Sequence, residues 1–217
     1  MQDIIATIKL DSGFSSKFKQ YILKSLASQI KRHSTKIKST VTEEVRKAVR
    51  KALVSTPEYQ SILEGKLKAQ LGIPESNTRI IAVIDTWVNN IVVNVQAATN
   101  PLLKIDIGII KDDYRDVLSL PQSTYMYRSR RGQGEIPWLE WLLLEGDKRI
   151  ITKYEFSTNT RGSRTGMGIM VSKQRGFWQV PPEFSGTSVD NFATRALGNI
   201  DSVIDNIVER VVKGVLK

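Results

Sequence analysis

Apolar positions recur at spacings of three and four through Phe18, Ile22, Leu26, Ile30, His33, Ile37, Val41, Val45, Ala48, Val49 and Ala52. That period marks one face of a single helix from about Ser15 to Leu53, which is long for a compact domain. The other faces of this helix are basic: residues 1–53 carry twelve lysines and arginines against four acids, most of the chain's formal net charge of +10. Lys31, Arg32, Lys36 and Lys38 cluster there as candidates for a subunit or DNA interface. Such a charge favours an acidic partner, whether nucleic acid, an anionic membrane or an acidic protein surface, and it also serves solubility alone.

Composition removes several chemistries. The 217 residues contain no cysteine and one histidine, so disulfides, thiol catalysis and zinc sites built from three or four Cys/His ligands are excluded. The longest apolar run, Ile80 to Ile84, is far short of the ~20 residues needed to cross a bilayer. Met1 to Leu10 lacks a basic start followed by an apolar core, so no signal peptide is expected and synthesis in a cytoplasm is. An apolar fraction of 41% with 25% charged residues is that of an ordinary globular protein.

Beyond the long helix, Thr56-Pro57-Glu58 starts a second one, with Thr56 as cap and Pro57 at the first helical position. It carries Tyr59, Ile62, Leu63, Leu67 and Leu71 inward and stops at Gly72 and Pro74. A third helix, through Ile80, Val83, Ile84, Trp87 and Val88, ends at Asn89-Asn90. The period then switches to two in Ile91–Val95 and Leu103–Ile109, two strands joined by a turn at Asn100-Pro101. A short helix within Asp112–Leu120 and a strand at Thr124–Arg128 follow, and Arg149–Phe156 with Gly168–Ser172 read as a hairpin. Gly176 to Phe184 reads as extended because of Pro181 and Pro182. A final amphipathic helix runs from Phe192 through Ile200, Ile204 and Val208 to the last residue.

The middle of the chain holds its most apolar helix, Pro137 to Glu145, closed by Gly146 as a left-handed stop. Trp138, Trp141 and Leu142 are its expected core residues, as Ile200, Ile204 and Val208 are for the last helix. Arginine-rich and glycine-rich loops flank it, with Arg128, Arg130 and Arg131 before and Arg161 and Arg164 after. These arginines can bind phosphates or carboxylates through bidentate contacts, and they equally suit solvated hairpin tips. Neither loop contains a Walker sequence or a Gly-x-Gly-x-x-Gly after a strand. The fold class is α+β: long N-terminal and C-terminal helices around a small, largely antiparallel sheet with a short central apolar helix. One domain over 1–217 is expected, divided as a basic helix (1–55), a mixed core (56–184) and a C-terminal amphipathic helix (185–217).

Candidates for catalysis are thin. His33 lies on an apolar seam between Ile30 and Ile37 and reads as a packed or half-buried histidine. Ser16 and Lys19 match Ser-x-x-Lys without the Lys-Thr-Gly element that accompanies it. Asp112, Asp113 and Asp116 can share a helical turn and offer oxygen ligands to Mg²⁺ or Ca²⁺, although a solvated helix start is the preferred reading. No catalytic, metal or cofactor residue is assigned.

Three pieces taken in order carry a family resemblance: Pro57 with Glu64-Gly65-Lys66-Leu67, then Leu144-Glu145-Gly146, then Asn191-Phe192-Ala193-Thr194-Arg195-Ala196-Leu197. In order and in the layout of helix, sheet and helix, the chain resembles the tail-completion and head-to-tail connector proteins of tailed bacteriophages. It departs from their pattern in Glu64, in Leu143-Leu144 where an aromatic is usual, and in the extra segment from Arg161 to Pro182. Trp138–Gly146 with Ser163-Arg164-Thr165-Gly166 and Val180-Pro181-Pro182-Glu183-Phe184 is similar to a contractile-tailed branch.

The resemblance implies a non-enzymatic virion protein, made in the bacterial cytoplasm and forming a homo-oligomeric ring at the neck or tail top. Its partners would be adjacent neck or tail rings and, non-specifically, packaged DNA; no membrane and no cofactor are implied. The alternative is a non-specific DNA-binding protein using the basic helix and the arginine loops.

Overall fold

The computed structural model describes residues 2–7, 16–97, 102–109, 113–129, 132–163 and 165–215. Contacts gather these residues into two compact units, each drawing on pieces far apart in sequence. The fold class is α+β as expected, with long terminal helices and antiparallel pairing throughout.

Unit 1 comprises Met1–Val49, Val88–Ile110 and Asn199–Lys217. Its main element is α1 (Ser16–Val54), of which residues 50–54 belong to unit 2; the helix runs 39 residues without interruption, roughly 58 Å at ~1.5 Å per residue. The α1 seam is buried from Ile30 through Ile37, Val41, Val45 and Val49 to Leu53. Strands β1 (Gln2–Thr7), β2 (Val92–Ala97) and β3 (Leu102–Gly108) form one sheet in the order β1-β3-β2. Ile105 and Ile107 of β3 and Val93 of β2 are buried while Val92 is exposed, the alternation that a sheet with one covered face imposes. The Asn100-Pro101 turn expected between β2 and β3 lies outside the described residues.

The last helix of unit 1, α8 (Ile200–Val215), buries Ile200, Ile204, Ile207, Val208 and Val211. The sequence suggested one helix from Phe192 onward, but the chain breaks it: α7 (Phe192–Leu197) ends at Gly198, whose N–H returns to the carbonyl of Arg195. Gly198-Asn199 pairs two weak helix formers, and helix restarts at Ile200.

Unit 2 comprises Arg50–Trp87 and Lys111–Gly198. The second helix expected from sequence is also two: α2 (Pro57–Glu64) and α3 (Lys66–Leu71). Gly65 sits between them in extended conformation, and the Ser61 hydroxyl there accepts the Leu67 N–H at 2.9 Å. A Cβ on Gly65 would stand 2.7 Å from the Ser61 Cα, so the break requires glycine. The predicted cap at Thr56 forms, its hydroxyl accepting from the Tyr59 N–H, and Gly72 takes the left-handed stop.

Helix α4 (Ser76–Asn89) follows, then α5 (Arg115–Leu118) and a single 3-10 turn at Pro121–Ser123. The first arginine loop is a β-hairpin: β4 (Tyr125–Ser129) pairs with β5 (Gly132–Ile136), a strand that the glycine-rich composition concealed. After α6 (Trp138–Leu143), β6 (Ile151–Ser157) and β7 (Ile169–Trp178) make the expected second hairpin. Its register shifts where Lys153 adopts a φ of 64°, and β7 absorbs Gly176-Phe177-Trp178 from the segment expected to be merely extended. The strands therefore form three separate antiparallel sheets.

The central helix is shorter than its sequence suggested and ends differently. Pro137 occupies the N-cap position, Leu144 the C-cap, and Gly146 is not left-handed. Gly146 instead lets two chains touch: its N–H donates to the Gly186 carbonyl at 2.9 Å, and a Cβ would fall 2.4 Å from the Gly186 nitrogen.

Candidate assembly interface

Three features within the two units bear on function: the basic helix, the cluster formed by the family-like segments, and a cavity between two hairpins.

On α1, Lys31, Arg32, Lys36 and Lys38 are all exposed. Lys31 and Lys38, seven apart, fall on one line along the helix; Arg32 and Lys36, four apart, fall on another. No salt bridge engages them among the described residues. Further along, the charges neutralise each other: Lys47 bridges Glu43 at 2.7 Å, and Arg210 of α8 reaches Glu44 at 2.9 Å. The hydrogen bond from Lys47 holds the Glu43 carboxyl below its ordinary range. His33 is half-buried on this helix. Toward its start the α1 seam is more exposed: Ile22 and Leu26 are half-buried, Phe18 is 46% exposed and Tyr21 72%.

In unit 2 the three segments that carry the resemblance are linked through residues beside them, Glu58 and Gly186. Glu58, next to Pro57, is 3% exposed, and Arg195 of α7 grips it with Nε at 3.0 Å and Nη2 at 2.7 Å. Arg195 also reaches Asp190 at 3.0 Å and the Ser185 carbonyl at 3.2 Å. Asn191 and Thr194 form a capping box, and the Asn191 amide donates to the Tyr114 hydroxyl at 2.9 Å. Phe192 is fully buried, its ring 5.6 Å from that of Trp87. Gly186, bonded to Gly146, packs against Asn191 so closely that a Cβ would lie 2.7 Å from Asn191 Cβ. Sequence order gave no sign that Arg195 and Glu58 would meet, since 137 positions separate them.

The cavity measures about 330 Å³ and is walled by both hairpins, by Trp141 of α6 and by the end of α3. Tyr125, Tyr127, Phe156 and Trp178 line it with Trp141, whose ring lies 5.9 Å from that of Trp178. Two glycines seat these rings. A Cβ on Gly134 would strike the Tyr127 ring at 2.7 Å, and one on Gly168 would strike Phe156 at 2.3 Å. Gln70 accepts the Trp178 indole N–H at 2.9 Å, and Tyr125 donates to the Leu71 carbonyl.

The predicted arginines divide accordingly. Arg128 is exposed at the cavity, and Arg161 is exposed beside Gly162, another lining residue, so the two loops border one site. Arg130, Arg131 and Arg164 lie outside the described residues. Of the expected core, Trp138, Leu142, Ile200, Ile204 and Val208 are buried, and the Trp138 indole donates to the Gln122 carbonyl at 2.8 Å. Trp141 corrects the expectation: it is half-buried because its face of α6 opens onto the cavity. The cavity residues other than Trp141 and Arg128 could not be read from sequence, because rings on three strands converge only through pairing.

Asp112 lies outside the described residues, and Asp113 accepts the Arg115 N–H at 3.2 Å. Among the described residues no group of three or more His, Cys, Asp or Glu is placed to hold a metal ion, and no helix is long and apolar enough to cross a membrane. Comparison of the chain with protein-family models, with curated proteins and with solved structures finds no match.

Proposed function

We propose that this chain is a structural protein of a tailed bacteriophage, of the tail-completion or connector kind, that assembles as a ring joining head and tail. The observation that carries the reading is the part-exposed start of α1: the apolar seam, buried further along, is half-buried at Leu26 and Ile22 and 46% exposed at Phe18, beside Tyr21 at 72%. Soluble chains expose single apolar residues freely, but an apolar seam that grows more exposed along one helix suits a neighbouring subunit. Cyclic assembly needs two different surfaces on each subunit, of which the start of α1 is one; the cavity and arginine loops of unit 2 offer a further surface, for an adjacent ring protein. The links between these segments, Arg195 to Glu58 and Gly146 through Gly186 to Asn191, support the same reading.

The test is genetic and morphological. Infection with a phage in which this coding sequence carries a stop codon should yield filled heads and tails that fail to join, visible by electron microscopy. Intact, infectious particles would contradict the proposal.

A second reading has its own observation. The exposed, unbridged Lys31, Arg32, Lys36 and Lys38 make a cationic stretch suited to phosphate contacts, so the chain would bind duplex DNA without sequence preference. Salt-insensitive or absent DNA binding would remove it.

A further inference from the structure

We propose that the cavity of unit 2 is a receptor for one aromatic side chain, presented by an acidic segment of a neighbouring protein, with Arg128 meeting the adjacent carboxylate. The inference rests on the assembly reading only in taking the occupant to be a protein.

The walls define what fits. At about 330 Å³ the cavity lies at the low end of the roughly 300–1,000 Å³ range of ligand pockets, room for one large side chain. Trp141, Trp178, Tyr127 and Phe156 face it, and aromatic rings prefer offset or edge contacts with another ring over water. Trp178 cannot turn away to solvate itself, because Gln70 holds its indole N–H. At Gly134 and Gly168 an added Cβ would collide with the Tyr127 and Phe156 rings, so these two walls of the cavity stand as they do because glycine lies behind them.

The rim sets the charge of the occupant. Arg128 is the one charged side chain among the described lining residues, is exposed, and has no partner among them. Arg161 stands beside the lining residue Gly162 and offers its backbone N–H, not its guanidinium, to Asn159. A segment with carboxylates beside its aromatic anchor therefore gains charge-assisted hydrogen bonds at the mouth. A second copy of this chain fits poorly, because each of its described exposed aromatics brings like charge to Arg128: Phe18 and Tyr21 lie near Lys24 on α1, and the Arg149 guanidinium sits over Phe177. Single-stranded nucleic acid calls for successive stacking platforms along a basic groove, whereas these rings enclose one cavity.

The test uses the full chain labelled with ¹⁵N and the indole N–H signals of Trp141 and Trp178, assigned by single Trp→Phe variants. The probe is acetyl-Glu-Glu-Trp-Glu-Glu-amide, compared with the same peptide carrying alanine for tryptophan, with its all-lysine counterpart, and with a thymidine oligonucleotide. The proposal expects saturable shifts of both indoles with the acidic tryptophan peptide alone. It also expects about tenfold weaker binding to Arg128→Ser, the loss of one charge-assisted contact. Gly168→Ala, whose Cβ would collide with the Phe156 ring and the Ser157 carbonyl, should abolish the shifts; Tyr127→Ala, which removes one wall, should weaken them and serves if Gly168→Ala fails to fold. Unmoved indoles, equal shifts with the alanine or lysine peptide, indifference to Arg128→Ser, or shifts with the oligonucleotide instead would each overturn it. Peptide failure leaves the particle experiment above untouched, and failure of that experiment leaves this binding chemistry standing, so the two can be told apart.

Discussion

Trp138 and Trp141 stand three positions apart on one short helix and do different work. Trp138 is fully buried with its N–H satisfied, so Trp138→Ala should cost about 3–5 kcal/mol in urea denaturation. Trp141→Ala should cost clearly less, because part of its ring already faces the cavity. Equal losses would show that the cavity is closed core. Arg195 offers a sharper case: Arg195→Met leaves the Glu58 carboxylate buried without its partner, and the loss should be about 3–5 kcal/mol. Adding Glu58→Gln to that variant should recover part of it, since a neutral amide costs less to bury than a charge; no recovery would place the loss in the Asp190 and Ser185 contacts. At this scale the sequence revealed which residues are buried by period, as at Trp138 and Ile204. It could not reveal Glu58 with Arg195, because local patterning carries no record of a partner 137 positions away.

Elements were legible where one period ran long. The seam of α1, the cap of α2, the stop at Asn89 and the alternation of β3 all came from residues acting on near neighbours. The misses differ in cause: Gly198 breaks its helix by local propensity and Gly65 through its near neighbour Ser61, whereas β5 and Gly146 depend on a pairing or a chain approach that only the folded state supplies. Gly146→Ala should therefore destabilise by about 1–3 kcal/mol although the glycine is not left-handed, because its Cβ would collide with Gly186. A neutral result by thermal melting would mean that the two loops can part without loss. On α1, replacing Lys31, Arg32, Lys36 and Lys38 with glutamine should leave stability within about 0.5 kcal/mol, since all four side chains are exposed and unbridged. The same variant should flatten any salt dependence of DNA affinity, by up to about 0.9 log units per lost phosphate contact. An unchanged slope would take the DNA-binding reading away from this helix.

For the whole molecule, the α+β class followed from the order of periods, but the division into two units did not. Unit 1 takes its residues from the start, middle and end of the chain, and unit 2 fills the gaps, an arrangement set by pairings such as β2 with β3 and α8 with α1. That interleaving gives each subunit a part-exposed helical seam in one unit and an aromatic cavity with arginines in the other. The functional account holds that these surfaces serve assembly into a phage particle. It is tested most directly by quantitative peptide mass spectrometry of gradient-purified virions. The account predicts peptides of this chain at a constant ratio of several copies per particle. Particles that lack the chain while the lysate contains it would contradict that prediction.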